Sequence, residues 1–161
     1  MKLVDKIKDN TLIFPINSVD KSTTMQELLN HILDEGYLTA TTKLFSSIDN
    51  QDKTIGSAVG RGVAFHHSSS KEVNEMIAVL GVSPKGIDYE SPDMQRVHFV
   101  LLLLDPMNEP NLHRKFIHRF QKFINEGDMK TKILDSNSKK EILDLINEWE
   151  SEYLLDGIYN E

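Results

Sequence analysis

The sequence predicts an α/β fold: a single layered domain with a central mixed β-sheet flanked by α-helices on both faces. Three observations point there. Apolar, strand-like runs gather in the middle of the chain, and amphipathic segments of helical spacing stand before and after them. One run, Phe99 to Leu104, is uninterrupted, as in a central strand covered on both sides. The 161 residues show neither an internal repeat nor a low-complexity linker, so one folded unit is expected over 1–161.

The first strong element is TTMQELLNHILDEG, where Thr24 and Glu27 have capping-box spacing. Met25, Leu28, Leu29, Ile32 and Leu33 form one face, and Gly36 supplies the stop. LTATTKLFSSID predicts a second helix with Leu44, Phe45 and Ile48 inward. Gly56, Gly60 and Gly62 then favour a turn whose backbone passes close to a neighbour. Strands are read in GVAF, Met76 to Val82 and Val97 to Asp105, with SPKGIDYESPD as turn between the last two. A long helix follows from about Asn111, with Phe116, Ile117, Phe120, Phe123 and Ile124 inward and Gly127 closing it. Asp128 is expected to cap a short helix bearing Met129, Ile133 and Leu134. SKKEILDLINEWESEY opens with a second capping box, Ser138 and Glu141, and buries Ile142, Leu143, Ile146, Trp149 and Tyr153.

Composition narrows the function. With 18 Lys+Arg against 25 Asp+Glu the net charge is −7, which argues against nucleic acid or an anionic membrane surface as partner. The absence of cysteine excludes disulfides, thiol catalysis and zinc-thiolate sites, and favours a cytoplasmic setting. MKLVDKIKDN lacks the apolar core of a signal peptide, and no apolar run is long enough to span a bilayer.

Chemistry concentrates in GRGVAFHHSSS, Gly60 to Ser70, where two of the six histidines stand side by side. Neighbours on an extended strand point to opposite faces, so His66 and His67 share one site only if the strand has already broken; the three serines predict that break. A histidine at a strand end is held by the sheet yet reachable from the loop. His98 reads as a core residue, and His31 and His118 as surface or packing positions. Metal binding through His66, His67 and His113 is a rival reading, although adjacent histidines seldom chelate one ion and nearby acids lack a metal-motif spacing.

GRGVAFHH resembles the active-site segment of phosphotransferase-system enzyme IIA domains of the fructose/mannitol type, including their nitrogen-regulatory relatives, usually G-x-G-[IV]-A-[IV]-P-H. Gly60, Gly62, Val63, Ala64 and His67 match that form, and Phe65 is an apolar replacement. The segment from Leu112 onward is similar to the family's two C-terminal helices. His113 opens the first, followed by Phe116, Ile117, Phe120 and Ile124, and Ser138, Glu141, Ile142 and Leu143 open the last. DEGYLTATTKLFSSI also resembles the stretch before the active-site strand, so the likeness runs from about Asp20 to Tyr153.

The resemblance implies a phosphoryl relay without metal or organic cofactor. His67 is the implied acceptor of a phosphoryl group from phosphorylated HPr, passed to a IIB component or used as a regulatory signal. No IIB, IIC or HPr segment is found in the chain, so onward partners are expected to be separate polypeptides. A neutral imidazole offers a lone pair near pH 7 and needs no separate strong base. His113 is implied to stabilise the phosphoryl group, near a helix N-terminus that favours anions, and Ser68 is a further hydroxyl or amide donor. The family's arginine, sixteen residues before the acceptor, falls on Gln51, and Lys53 is a poor substitute as a point charge. Arg61 is the cation that would compensate. His66 replaces the family's proline. The alternative is a phosphorylation-incompetent IIA-like regulatory module that acts by protein binding.

Overall fold

The structure, a computed structural model, describes residues 1–159. A short helix α1 (Leu3–Lys6) and a 3-10 turn (Asp9–Thr11) lead into β1 (Leu12–Ile13), α2 (Lys21–Asp34) and α3 (Thr42–Thr54). Four strands follow: β2 (Ala58–Gly60), β3 (Val63–Ser70), β4 (Ile77–Ile87) and β5 (Val97–Pro106). The chain ends in α4 (Leu112–Ile124), α5 (Met129–Leu134) and α6 (Lys139–Tyr159). One open mixed sheet of five strands has the order β1-β4-β5-β3-β2. β1 and β4 are parallel, as are β3 and β5, whereas β4–β5 and β2–β3 are antiparallel.

Each sheet face carries its own core, because alternate residues of β3, β4 and β5 point to opposite sides. Val63, Ala78, Leu80, Phe99, Leu101 and Leu103 pack with Phe116, Phe120 and Phe123 of α4 and Ile142, Ile146 and Trp149 of α6. Ala64, Val79, Val100, Leu102 and Leu104 pack with Met25, Leu28, Leu29 and Ile32 of α2 and Leu44 and Ile48 of α3. The uninterrupted apolar run of β5 is therefore explained: every residue from Val100 to Leu104 is fully buried, odd positions on one face and even on the other.

Several local expectations are revised. α2 begins three residues before the expected Thr24, at Lys21, because the Asp20 carboxylate accepts from the Thr23 amide. Glu27 instead accepts from the Asn17 and Ser18 amides upstream of the cap. Gly36 does close α2: at φ 82° it lets its own amide reach Leu33 O and that of Tyr37 reach Ile32 O. The side chain of Asp128 makes no capping hydrogen bond at α5 and pairs with Lys132. At α6, Ser138 Oγ accepts from the Glu141 amide, while the Glu141 carboxylate accepts from Asn137 N rather than from the capping residue.

Two strands outrun their expected ends. The start of SPKGIDYESPD stays in β4 through an irregularity between Val82 and Ile87, stabilised by the Gly86 amide donating to Ser83 Oγ and by φ 79° at Gly86. β3 does not break at the histidines. Its parallel pairing with β5 continues without interruption to Ser70 opposite Pro106, which holds all three serines extended.

Candidate functional site

The continuation of β3 fixes the directions of the two histidines. His66 and Ser68 face α2 and α3, and Phe65 and His67 face α4. Pairing with β2 stops at Ala64, so from His66 onward the outer edge of β3 has no neighbouring strand. Because Phe65 N donates outward to Ser57 O, alternation also turns the His67 backbone groups toward that open edge, and those of Ser68 toward β5.

His67 stands where two parallel strands end and α4 begins. Its exposed ring stacks on that of His113, with centroids 4.1 Å apart and planes 10° apart. His113, in the first turn of α4, is buried and held from behind by Asp105, the last side chain of β5 to point into this core. The Asp105 carboxylate accepts from His113 N at 3.0 Å and from Nδ1 at 2.6 Å. That leaves Nε2 of His113 on the open side of the ring. Asp105 is fully buried, and these two bonds hold its carboxylate there.

Electrostatics keep the His67 ring neutral. Partial burial lowers its pKa first, the His113 ring beside it lowers it further, and the Arg114 guanidinium adds to this, while Asp105 opposes them. A neutral ring near pH 7 retains the lone pair that a nucleophile uses. His66 is neutral for the same leading reason, acting more strongly: burial pushes its pKa down to about 4, against the pull of Asp52. Its Nε2 shares a 2.8 Å hydrogen bond with the hydroxyl of Tyr89, itself buried. Lys21 and Asp52 form an ion pair on this second face.

The sequence-read residues separate accordingly. His67 and His113 are brought together. Gln51 lies on α3 and lines, with Ile48, Ile55, Phe65 and His67, an open cavity of about 670 Å³. Ser68 is not brought to the histidine pair: its buried hydroxyl lies 3.4 Å from Ser47 Oγ on the α3 side. Arg61 is not brought there either. It sits in the β2–β3 hairpin, six strand residues or roughly 20 Å from His67. There its amide donates to Asp93 and its carbonyl accepts from Lys130. Among the described residues no group of three or more His, Asp or Glu side chains gathers as metal ligands, and His66 and His67 face opposite sides of the sheet.

Asp105, Arg114 and Tyr89 are the participants that sequence reading missed. A lone acid closing the apolar run of β5, eight residues before His113, was a readable signal for Asp105. Arg114 had only its adjacency to His113, and Tyr89 had none.

Fold and site together define a class: an α/β protein that presents one neutral, reachable histidine backed by a carboxylate-anchored second one. The profile of a family described as "Phosphoenolpyruvate-dependent sugar phosphotransferase system, EIIA 2" matches residues 6–149, and the chain belongs to this family. It is similar to the "PTS system fructose-specific EIIABC component" of Bacillus subtilis, 24% identical over 148 residues that cover 92% of this chain and 23% of that protein. The chain thus spans about a quarter of the length of that relative. Its fold matches the nitrogen regulatory protein IIA-Ntr of Neisseria meningitidis with a TM-score of 0.78 at 15% identity, covering 89% of this chain and 98% of that one. It also matches one chain of the complex of enzyme IIAMTL and phosphorylated enzyme IIBMTL from Escherichia coli with a TM-score of 0.74 at 14% identity, covering 88% of this chain and 97% of that one. No helix among the described residues is long and apolar enough to cross a membrane.

Proposed function

We propose that this chain is a cytoplasmic phosphoryl relay, one IIA domain over 1–161, that accepts a phosphoryl group on a ring nitrogen of His67 from a phosphorylated HPr-like carrier. The group then passes to a IIB component or serves as a regulatory signal. The observation that carries this reading is the neutral, exposed His67 ring stacked on a His113 whose Nδ1 is held by Asp105.

The transfer balances simply. The lone pair of His67 forms a new N–P bond while the N–P bond of the carrier breaks, and that electron pair returns to the carrier's imidazole. The single ring proton displaced from His67 ends on the carrier. Such a step needs positioning and charge stabilisation more than covalent help from the protein. The β3–β5 pairing supplies the position. His113 supplies Nε2 beside the reacting ring, a donor to phosphoryl oxygens when the ring is protonated. Gln51 offers the same cavity a neutral amide in place of a charge.

The test is intact mass after incubation with phosphoenolpyruvate, enzyme I and HPr. The wild type and His66→Ala are expected to gain one acid-labile phosphoryl group, His113→Ala to gain it about tenfold or more slowly, and folded His67→Ala not at all. A folded wild type that gains nothing from its cognate carrier refutes the relay and leaves a module that acts by binding.

A further inference from the structure

A phosphoryl group on His67 would bring about two negative charges to a site already holding the Asp105 carboxylate. The chain as a whole is acidic, at net −7, so it supplies no diffuse positive field to offset them. A countercharge must therefore be local. Lys71, four residues past the acceptor, lies beyond the end of β3, roughly 13 Å along the chain from His67, and three other cations are paired or distant. Lys53 pairs with Asp49 at 3.1 Å, Lys21 pairs with Asp52 on the α2/α3 side, and Arg61 is at the far end of β3.

Arg114 is both unpaired and next to the site. It follows His113 directly in the first turn of α4, so its Cα lies about 3.8 Å from that of the residue on which the His67 ring is stacked. Its side chain is exposed and, among the described residues, enters no ion pair. His113 turns inward toward Asp105 and anchors this turn, so the exposed Arg114 stands on a backbone that is held in place. The groups whose charge reaches His67 are His113 and Arg114 from α4 and Asp105 from β5.

We infer that Arg114 is the guanidinium that binds the phosphoryl oxygens on His67, from the α4 side of the ring, during and after transfer. This assignment rests on the relay reading above. A guanidinium presents two parallel N–H donors to two phosphoryl oxygens, which a single ammonium does not. The free protein leaves that fork unpaired, so no existing ion pair has to be broken for it to engage.

The experiment uses the full chain, with Arg114→Gln, Arg114→Lys and, as a control on the same turn, Lys115→Gln. Initial rates of phosphoryl uptake from phosphorylated HPr are followed by intact mass, and thermal midpoints verify folding. Ring titrations of unphosphorylated His67 by NMR give a readout that needs no carrier. Arg114→Gln is expected to slow uptake about tenfold or more and to raise the His67 pKa. Arg114→Lys recovers the pKa and only part of the rate, and Lys115→Gln matches the wild type in both. Uptake and titration unchanged in Arg114→Gln overturn the inference and leave the relay standing. A wild type that takes up nothing overturns the relay and with it the role of Arg114, whatever the titration shows.

Discussion

At the residue scale, two adjacent histidines have acquired opposite environments because one strand turns them to opposite faces. His67 is reachable and stacked, whereas His66 is buried against Tyr89. His66 has a consequence for stability. Its folded pKa of about 4 lies below the 6.5 of an unperturbed histidine, so the unfolded chain takes up a proton first as pH falls. Stability is therefore full above pH 6.5 and is lost as pH falls toward 4, by about 3 kcal/mol for a shift of this size. Chemical denaturation at pH 7, 5.5 and 4.5 should show that loss in the wild type and a smaller one in His66→Gln, whose amide can still bond Tyr89. An equal loss in both proteins would place the acid sensitivity elsewhere. His67 was legible because its motif is short and local. Ser68 and Arg61 were misplaced because adjacency in sequence says nothing about strand direction: one residue along a strand reverses the face, and six span its length.

At the element scale, the site depends on β3 staying paired with β5 through Ser70. Sequence reading located both strands and α4 but ended β3 too soon, because serines score as loop formers when their partner strand is unknown. The turn before β3 was legible from its glycines, whereas the short strand β2 that makes it a hairpin was not. The turn places both Arg61, at φ 55°, and Gly62, at φ 80°, in the left-handed region, as a two-residue type I′ hairpin requires. Arg61 thus serves the hairpin backbone at the end of β3 away from His67. Arg61→Gly relieves a left-handed side-chain residue and is expected to keep or raise the thermal midpoint while leaving phosphoryl uptake within twofold of wild type. A severalfold loss of uptake in this folded variant would return Arg61 to the site.

At the scale of the whole molecule, the N-terminal segment is tied to the far end of the chain. Glu150 of α6, 3% exposed, accepts from Leu3 N at 2.7 Å and from Arg119 Nε and Nη2 at 2.8 and 2.7 Å. This clamp joins α1, α4 and α6 over one core. The pattern of apolar residues foretold both helices but not the clamp, since a glutamate on an amphipathic helix normally reads as solvated. Glu150→Ala strands a half-buried guanidinium and a backbone amide, a loss of about 3 kcal/mol. In a chain of this size that is a fall of about 10 °C in the thermal midpoint. Uptake measured well below the midpoint should be unchanged, since none of these groups touches the histidine pair. A midpoint that moves by less than about 2 °C would show the clamp to be incidental.

In the proposed relay the phosphoryl group is carried on His67. The most direct measurement is a long-range proton–nitrogen NMR spectrum of the histidine rings, with phosphorus coupling, recorded before and after loading from phosphorylated HPr. Phosphorus coupling is expected on one ring nitrogen of His67, while His66 keeps its resonances and His113 remains unphosphorylated. Coupling on the ring of His66 or His113, or on no histidine in a fully loaded sample, would contradict the relay on His67.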